Sequence, residues 1–263
     1  MKKYLKIALL IAYIALVFLP LVQVVQMSFL TTVSAASSQQ PVFTWLNYYH
    51  LFTSPTLGAA FFNSITYVLL NICLTIPVAL PAAYAFSRYS FIGDKHLFLA
   101  FLAFRVTPPV VLALPMFKIF SLIGLINTPF GIALAHCLFT IPVSIWILES
   151  FINAIPKQLD ENAFLDGYSL PRFYYEILLP LLAPGIGVAA FFCFLFSWVE
   201  VVFARILTVT NGKPITMAID ALFGFSTDMG LVMAVIVASV IPGMVMFYFV
   251  RNHIASGFTI GGQ

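Results

Sequence analysis

Residues 155–180 read IPKQLDENAFLDGYSLPRFYYEILLP. Lys157, Asp160, Glu161, Asp166, Arg172 and Glu176 all fall within this stretch, in a chain of which only 8% is charged. Strongly apolar sequence flanks it on both sides. A bare connection between two membrane spans needs neither this length nor these charges. The stretch is therefore read as a surface that meets a soluble partner.

Composition defines what surrounds it. The 263 residues are 62% hydrophobic, with a mean hydropathy of +1.05. Soluble chains are about 45–50% apolar and about 25% charged, and a sequence this poor in polar residues could not cover a soluble core. This is an all-α integral membrane protein. A spanning helix needs roughly 20 mainly apolar residues, and segments at 7–28, 60–87, 97–117, 128–149, 180–203 and 231–251 qualify. They predict six transmembrane helices in one domain over 1–263, with a charged loop at 150–179 between the fourth and fifth. A closed barrel, the other way to satisfy backbone groups in lipid, needs alternating segments of about 10 residues; these runs are continuous.

Lys2, Lys3 and Lys6 before the first span also fit a signal peptide cleaved after Val33-Ser34-Ala35. The apolar run is nearer twenty residues than the roughly 7–15 of a signal core, which favours a retained helix. With the N-terminus inside, the inner side collects Lys2, Lys3, Lys6, Arg88, Lys95, Lys157, Arg172 and Arg251, while Lys118, Arg205 and Lys213 lie outside. The positive-inside rule thus places both termini and the charged loop in the cytoplasm. Trp45, Tyr48 and Tyr49 in the first outer loop read as interfacial anchors.

Several function classes drop out. Net charge is +3 with scattered basic residues, so nucleic-acid binding has no support. Cys73, Cys137 and Cys193 lie in apolar segments without CxxC spacing and read as small hydrophobes. The four histidines are far apart, and no HExxH, GxSxG or phosphate-loop motif occurs. Prolines crowd the spans (Pro77, Pro81, Pro108, Pro109, Pro115, Pro142, Pro184, Pro242) and permit kinks. The two halves share no motif, which weighs against an inverted-repeat secondary transporter.

Within the charged stretch, Pro156 suits the first turn of a helix and Gly167 its end. Leu159, Ala163 and Asp166 or Gly167 follow one another at i, i+3 or i+4 spacing along one stripe. Ser169 and Pro171 then start a second helix that runs into Pro180 and the fifth span. The result is a short helix across the membrane face, with small residues that let a partner approach.

At these residues the chain resembles a known family. Glu161-Asn162-Ala163, then Gly167, then Ile177-Leu178-Leu179-Pro180 is similar to the E-A-A-x(3)-G-x(9)-I-x-L-P motif of ABC importer permeases, with Asn162 where the family usually has Ala. Arg105-Val106-Thr107-Pro108-Pro109 resembles the R-x-x-P-P segment of the maltose permease class. Phe196-Ser197-Trp198-Val199-Glu200 resembles its F-x-x-W-N-E, with Val199 for Asn. Asn47-Tyr48, Asn63-Ser64 and the tail Gly257-Phe258-Thr259-Ile260-Gly261-Gly262 are similar as well.

The resemblance implies a type I importer permease in the bacterial inner membrane. It also implies that Pro156, Leu159, Glu161, Ala163, Asp166, Gly167, Leu179 and Pro180 form the helix that couples to a cytoplasmic ATPase. Implied partners are a second permease, two ATPase subunits that hold the ATP and Mg, and a periplasmic or lipoprotein solute-binding protein. The implied solute is a sugar or polyol, glycerol or glycerol phosphate included. The chain itself would carry no cofactor and catalyse no covalent step.

Charges inside a membrane are costly, roughly +2.5 to +3.5 kcal/mol on insertion scales. Arg105 lies some eight residues into the third span and Glu200 toward the outer end of the fifth. Both are candidates for the solute path, with Trp198 as a stacking surface for a sugar ring. The plainer readings are that Arg105 locks helices through a carboxylate or carbonyls and that Glu200 reaches interfacial water. A self-sufficient secondary transporter or channel is the alternative function; it predicts mid-span coupling carboxylates and leaves the charged loop unexplained. An intramembrane enzyme lacks any recognisable nucleophile and base.

Overall fold

The structure, a computed structural model, describes residues 2–31, 41–223 and 228–260. The Val33-Ser34-Ala35 motif and the Gly261-Gly262 end of the tail motif lie outside the described residues. The chain forms α1 (Lys2–Ser28), α2 (Leu46–Thr53), α3 (Pro55–Arg88), α4 (Asp94–Phe104), α5 (Pro109–Leu122) and α6 (Pro129–Asn153). It continues with α7 (Lys157–Leu165), α8 (Leu170–Phe173), a π-helical turn (Tyr174–Leu178), α9 (Leu179–Val199), α10 (Val202–Leu207), α11 (Ile215–Leu222) and α12 (Met229–Ile260). Among the described residues, five helices are long and apolar enough to cross a membrane: α1, α3, α6, the run Leu170–Val199, and α12.

Local chemistry sets the helix starts. Ser54 caps α3 by accepting the Leu57 amide, with Pro55 in the first turn, so this span begins earlier than its apolar run. Thr128 caps α6 through the Gly131 amide at 3.0 Å, ahead of Pro129. Gly131 has to be small here, because a Cβ would lie 2.2 Å from the Leu125 carbonyl oxygen.

The segment at 97–117 is not one continuous helix. It is α4 and α5, broken at Arg105–Pro108. Pro108 is extended (φ −62°, ψ 132°) because the following Pro109 disfavours helical backbone before it. The tandem also removes two successive amide donors. Pro77, Pro81, Pro142, Pro184 and Pro242 are isolated, and their helices continue through them. At Pro180 the strain is taken up differently. Its ring would press on the Glu176 carbonyl in a regular helix, and the chain widens to a π turn over Tyr174–Leu178, with the Leu179 amide bonding back to the Tyr174 carbonyl.

Hydrogen bonds between helices show their directions. Ser87 at the end of α3 donates to Asn153 at the end of α6 (2.6 Å), so these two run parallel. Ser144 to Cys193 and His136 to Ser197 place α9 antiparallel to α6. Asn47 donates to the Ser28 and Leu30 carbonyls at the end of α1, where Gly230 opens α12. Counting α4 and α5 as one pass, the chain alternates through six passes. Lys2, Arg251 and α7 lie at one end of the bundle; α2, α10 and α11 lie at the other.

The α3–α6 contact is central and close. Ala79 and Ala83 of α3 and Ala133 of α6 are buried there, as expected where helices in lipid associate by packing rather than by hydrophobic exclusion. α9 completes the core, with Gly185 against the Phe151 ring. Between α3 and α6 lies a polar cluster. Asn71 donates to Thr140 (3.1 Å) and to the Ala133 carbonyl, and the Thr75 and Thr140 hydroxyls share a 2.8 Å bond. The Asn71 side-chain oxygen, Oδ1, is buried without a hydrogen-bond partner. α1 stands outside this core: none of its apolar window is buried.

Candidate functional site: the α7 platform

The charged stretch folds as its residues predict, with an unexpected inner face. Pro156 sits at the cap position, extended, and its carbonyl accepts the Leu159 amide. Asp160 falls in the first turn of α7, where a carboxylate suits the helix dipole, yet it points inward and is only 5% exposed. Arg88, the last residue of α3, reaches it through Nε at 2.7 Å and through a terminal nitrogen at 3.4 Å. The same nitrogen donates to the Ile155 carbonyl at 3.0 Å. The Tyr84 hydroxyl, one turn earlier on α3, donates to Asp160 at 3.0 Å. Ala163, one turn after Asp160, is buried in the same core as Phe173.

α7 ends at Gly167, whose φ of +84° favours glycine. The Gly167 amide bonds the Phe164 carbonyl and the Tyr168 amide bonds the Ala163 carbonyl, the paired bonds of a Schellman stop. The outer face is open: Leu159, Glu161 and Asp166 are exposed, and Leu165 is 85% exposed. The expected stripe is thus split. Leu159, Asp166 and Gly167 face outward, whereas the small size of Ala163 serves packing within this chain. Leu179 and Pro180 follow the π turn, half-buried and exposed respectively. Arg172 pairs with Glu176 at 3.0 Å on the surface and lies over the Tyr168 ring.

The three expected path residues separate. Arg105 sits in the α4–α5 break, exposed, with its guanidinium 5.2 Å from the Phe196 ring centre. Trp198 is 7% exposed; it stacks on Phe194 and donates to the Ser239 carbonyl at 3.0 Å. Its ring faces are therefore committed to helix packing. Glu200 does not reach interfacial water. It is 7% exposed and turns back to accept the Phe203 and Ala204 amides at 2.9–3.2 Å, so it caps α10. His136 lies 3.4 Å from the same carboxylate and bonds Ser197 at 2.7 Å. Among the described residues, no three His, Cys, Asp or Glu side chains gather as a metal site.

Sequence reasoning missed Arg88, Tyr84 and His136. Asp160 carried no local signal for its partner, which lies 72 residues away. Asn63 and Ser64, singled out by resemblance, hold the far-end loop: Asn63 donates to the Lys213 carbonyl and Ser64 accepts the Ile215 amide.

Comparison with known proteins fits this architecture. The model of the family described as "binding-protein-dependent transport system inner membrane component" matches residues 75–259. The chain belongs to that family. Similar relatives include the osmoprotective compounds uptake permease of Synechocystis, 32% identical over 80% of this chain and 73% of that protein. The trehalose/maltose transport system permease of Thermococcus litoralis is 32% identical over 82% and 79%. The trehalose transport system permease of Mycobacterium tuberculosis is 30% identical over 83% and 81%.

One chain of a bacterial ABC transporter involved in the import of the acidic polysaccharide alginate superposes with a TM-score of 0.80, covering 95% of both chains at 18% identity. That similarity shows the type I importer permease fold. The permease is an inner-membrane, non-catalytic subunit of a binding-protein-dependent transport system.

Proposed function

We propose that this permease forms half of the translocation path of a sugar or polyol importer, glycerol and glycerol phosphate included, and that α7 is the helix that seats in a cytoplasmic ATPase. α7 carries the reading: a nine-residue helix stands at one end of the bundle, anchored beneath and open above, with Leu159, Glu161, Leu165 and Asp166 presented outward. An exposed apolar and acidic helix face held in a fixed pose is suited to docking in a groove.

The positive-inside distribution supports a cytoplasmic position for this end and for both termini. ATP and Mg would then belong to two partner ATPase subunits, a second permease would complete the path, and a solute-binding protein would meet the α2–α11 end. The sugar class is supported by the trehalose and trehalose/maltose relatives. Arg105 is our candidate on the solute path, since it alone of the three residues considered is exposed.

The test is to purify the tagged permease gently from its native membrane. An ABC-type ATPase and a second permease should co-purify, and Gly167→Asp should release the ATPase by distorting the α7 stop. A chain that emerges alone and transports without ATP overturns the reading in favour of a secondary transporter.

A further inference from the structure

α7 is not merely attached to the bundle. Three side chains in the last two turns of α3 bond α7 and the segment that leads into it. Tyr84 and Arg88 both bond the Asp160 carboxylate, Arg88 also bonds the Ile155 carbonyl at the entry to α7, and Ser87 bonds Asn153 at the end of α6. The Arg88 and Asp160 side chains are 6% and 7% exposed. Below them, Tyr84 packs on the Phe173 ring, which leads into α9. A buried ion pair adds little stability over apolar packing, whereas its geometry is demanding. The pair therefore matters for what it joins.

We propose that Arg88 and Asp160 are positioning residues that make α7 and the end of α3 one rigid body, so that a displacement of α7 by its partner is delivered to α3. This rests on the coupling role proposed above. α3 is the element through which such a displacement would spread, because it packs along both α6 and α9 and its Ser64 and Tyr67 hold the loop at the opposite end. The other ties of α7 to the bundle, Ala163 and the Phe164–Phe173 ring contact, are apolar and slide more readily than a two-point, charge-assisted bond.

The experiment uses the purified complex, with exposed Cys73 replaced by Ser and spin labels at Lys157→Cys on α7 and Val78→Cys on α3. Inter-label distance is measured without nucleotide and after trapping with ATP and vanadate. The pair is expected to keep one narrow distance in both states. In Asp160→Asn the ATPase should stay bound while the distance shifts or broadens on trapping, and ATP-driven uptake of trehalose, used as a probe, should fall about tenfold. Asp160→Glu, which restores the charge, should recover the narrow distance.

Asp160→Asn behaving like the parent overturns the proposal, as does failure of Asp160→Glu to recover. Loss of the ATPase from Asp160→Asn also overturns it, since the pair would then serve assembly rather than transmission. A parent complex that retains no ATPase refutes the coupling role itself, a result distinct from all of these.

Discussion

Two carboxylates are buried at opposite ends of the bundle, Asp160 at 5% and Glu200 at 7% exposure, and they are satisfied in different ways. Asp160 is met by a guanidinium and a phenol from a helix 72 residues away in sequence. Glu200 is met by the amides of the turn that follows it, with His136 alongside. The first arrangement fixes one helix upon another and depends on full charge. The second fixes the direction in which the chain leaves α9 and needs only an acceptor. A buried acid therefore marks a joint in one place and a cap in the other, although the sequence shows Asp160 only as one charge of a polar loop and Glu200 as a charge near the end of a span.

The contrast is most sharply broken at the joint. Arg88→Ala leaves Asp160 buried with only the Tyr84 hydroxyl, and removing one partner of a buried pair costs about 3–5 kcal/mol. The expected outcome is a large drop in the unfolding midpoint of the purified permease. At the cap, Glu200→Ala should cost about 1–2 kcal/mol by orphaning amides of α10. Glu200→Gln should recover most of that, because its carbonyl still accepts. The same amide substitution at Asp160 should not recover the joint, and comparing the two amides by thermal unfolding tests the distinction directly.

Gly167→Ala should cost about 1 kcal/mol, the penalty of a Cβ at positive φ. Its effect on ATPase retention should exceed its effect on stability, since only the end of α7 shifts. Arg105→Ala, at an exposed position, should change stability by no more than about 0.5 kcal/mol. A fall in uptake without a fall in stability would place Arg105 on the solute path; normal uptake would remove it.

Much of this molecule was legible in its residues. Runs of twenty apolar residues can only be helices in lipid, and five of the six expected spans stand as single helices among the described residues. Gly167 marks the end of α7 through chemistry confined to a few neighbouring residues, whereas the Ser54 and Thr128 caps emerged only from the structure. The charged loop announced a helix with a stop, and its spacing resembled one family closely enough to imply a partner. The α4–α5 break was only half legible. Pro108-Pro109 was visible, but a hydropathy window runs straight across it.

Facing was not legible. Lipid tails are as apolar as leucine, so a helix in a membrane needs no polar side to show which face is packed. That is why Trp198 could be read as a platform when it is core, and why Glu200 could be sent to water when it caps α10. Nothing near Asp160 in the sequence names Arg88. Charge, hydropathy and the helix punctuation of Pro156 and Gly167, which are local properties, determined the unbroken spans, the platform and its stop. The approach of α3 to α7 decided that one acid in that platform would become a joint, because only packing brings a guanidinium and a carboxylate into one dry place.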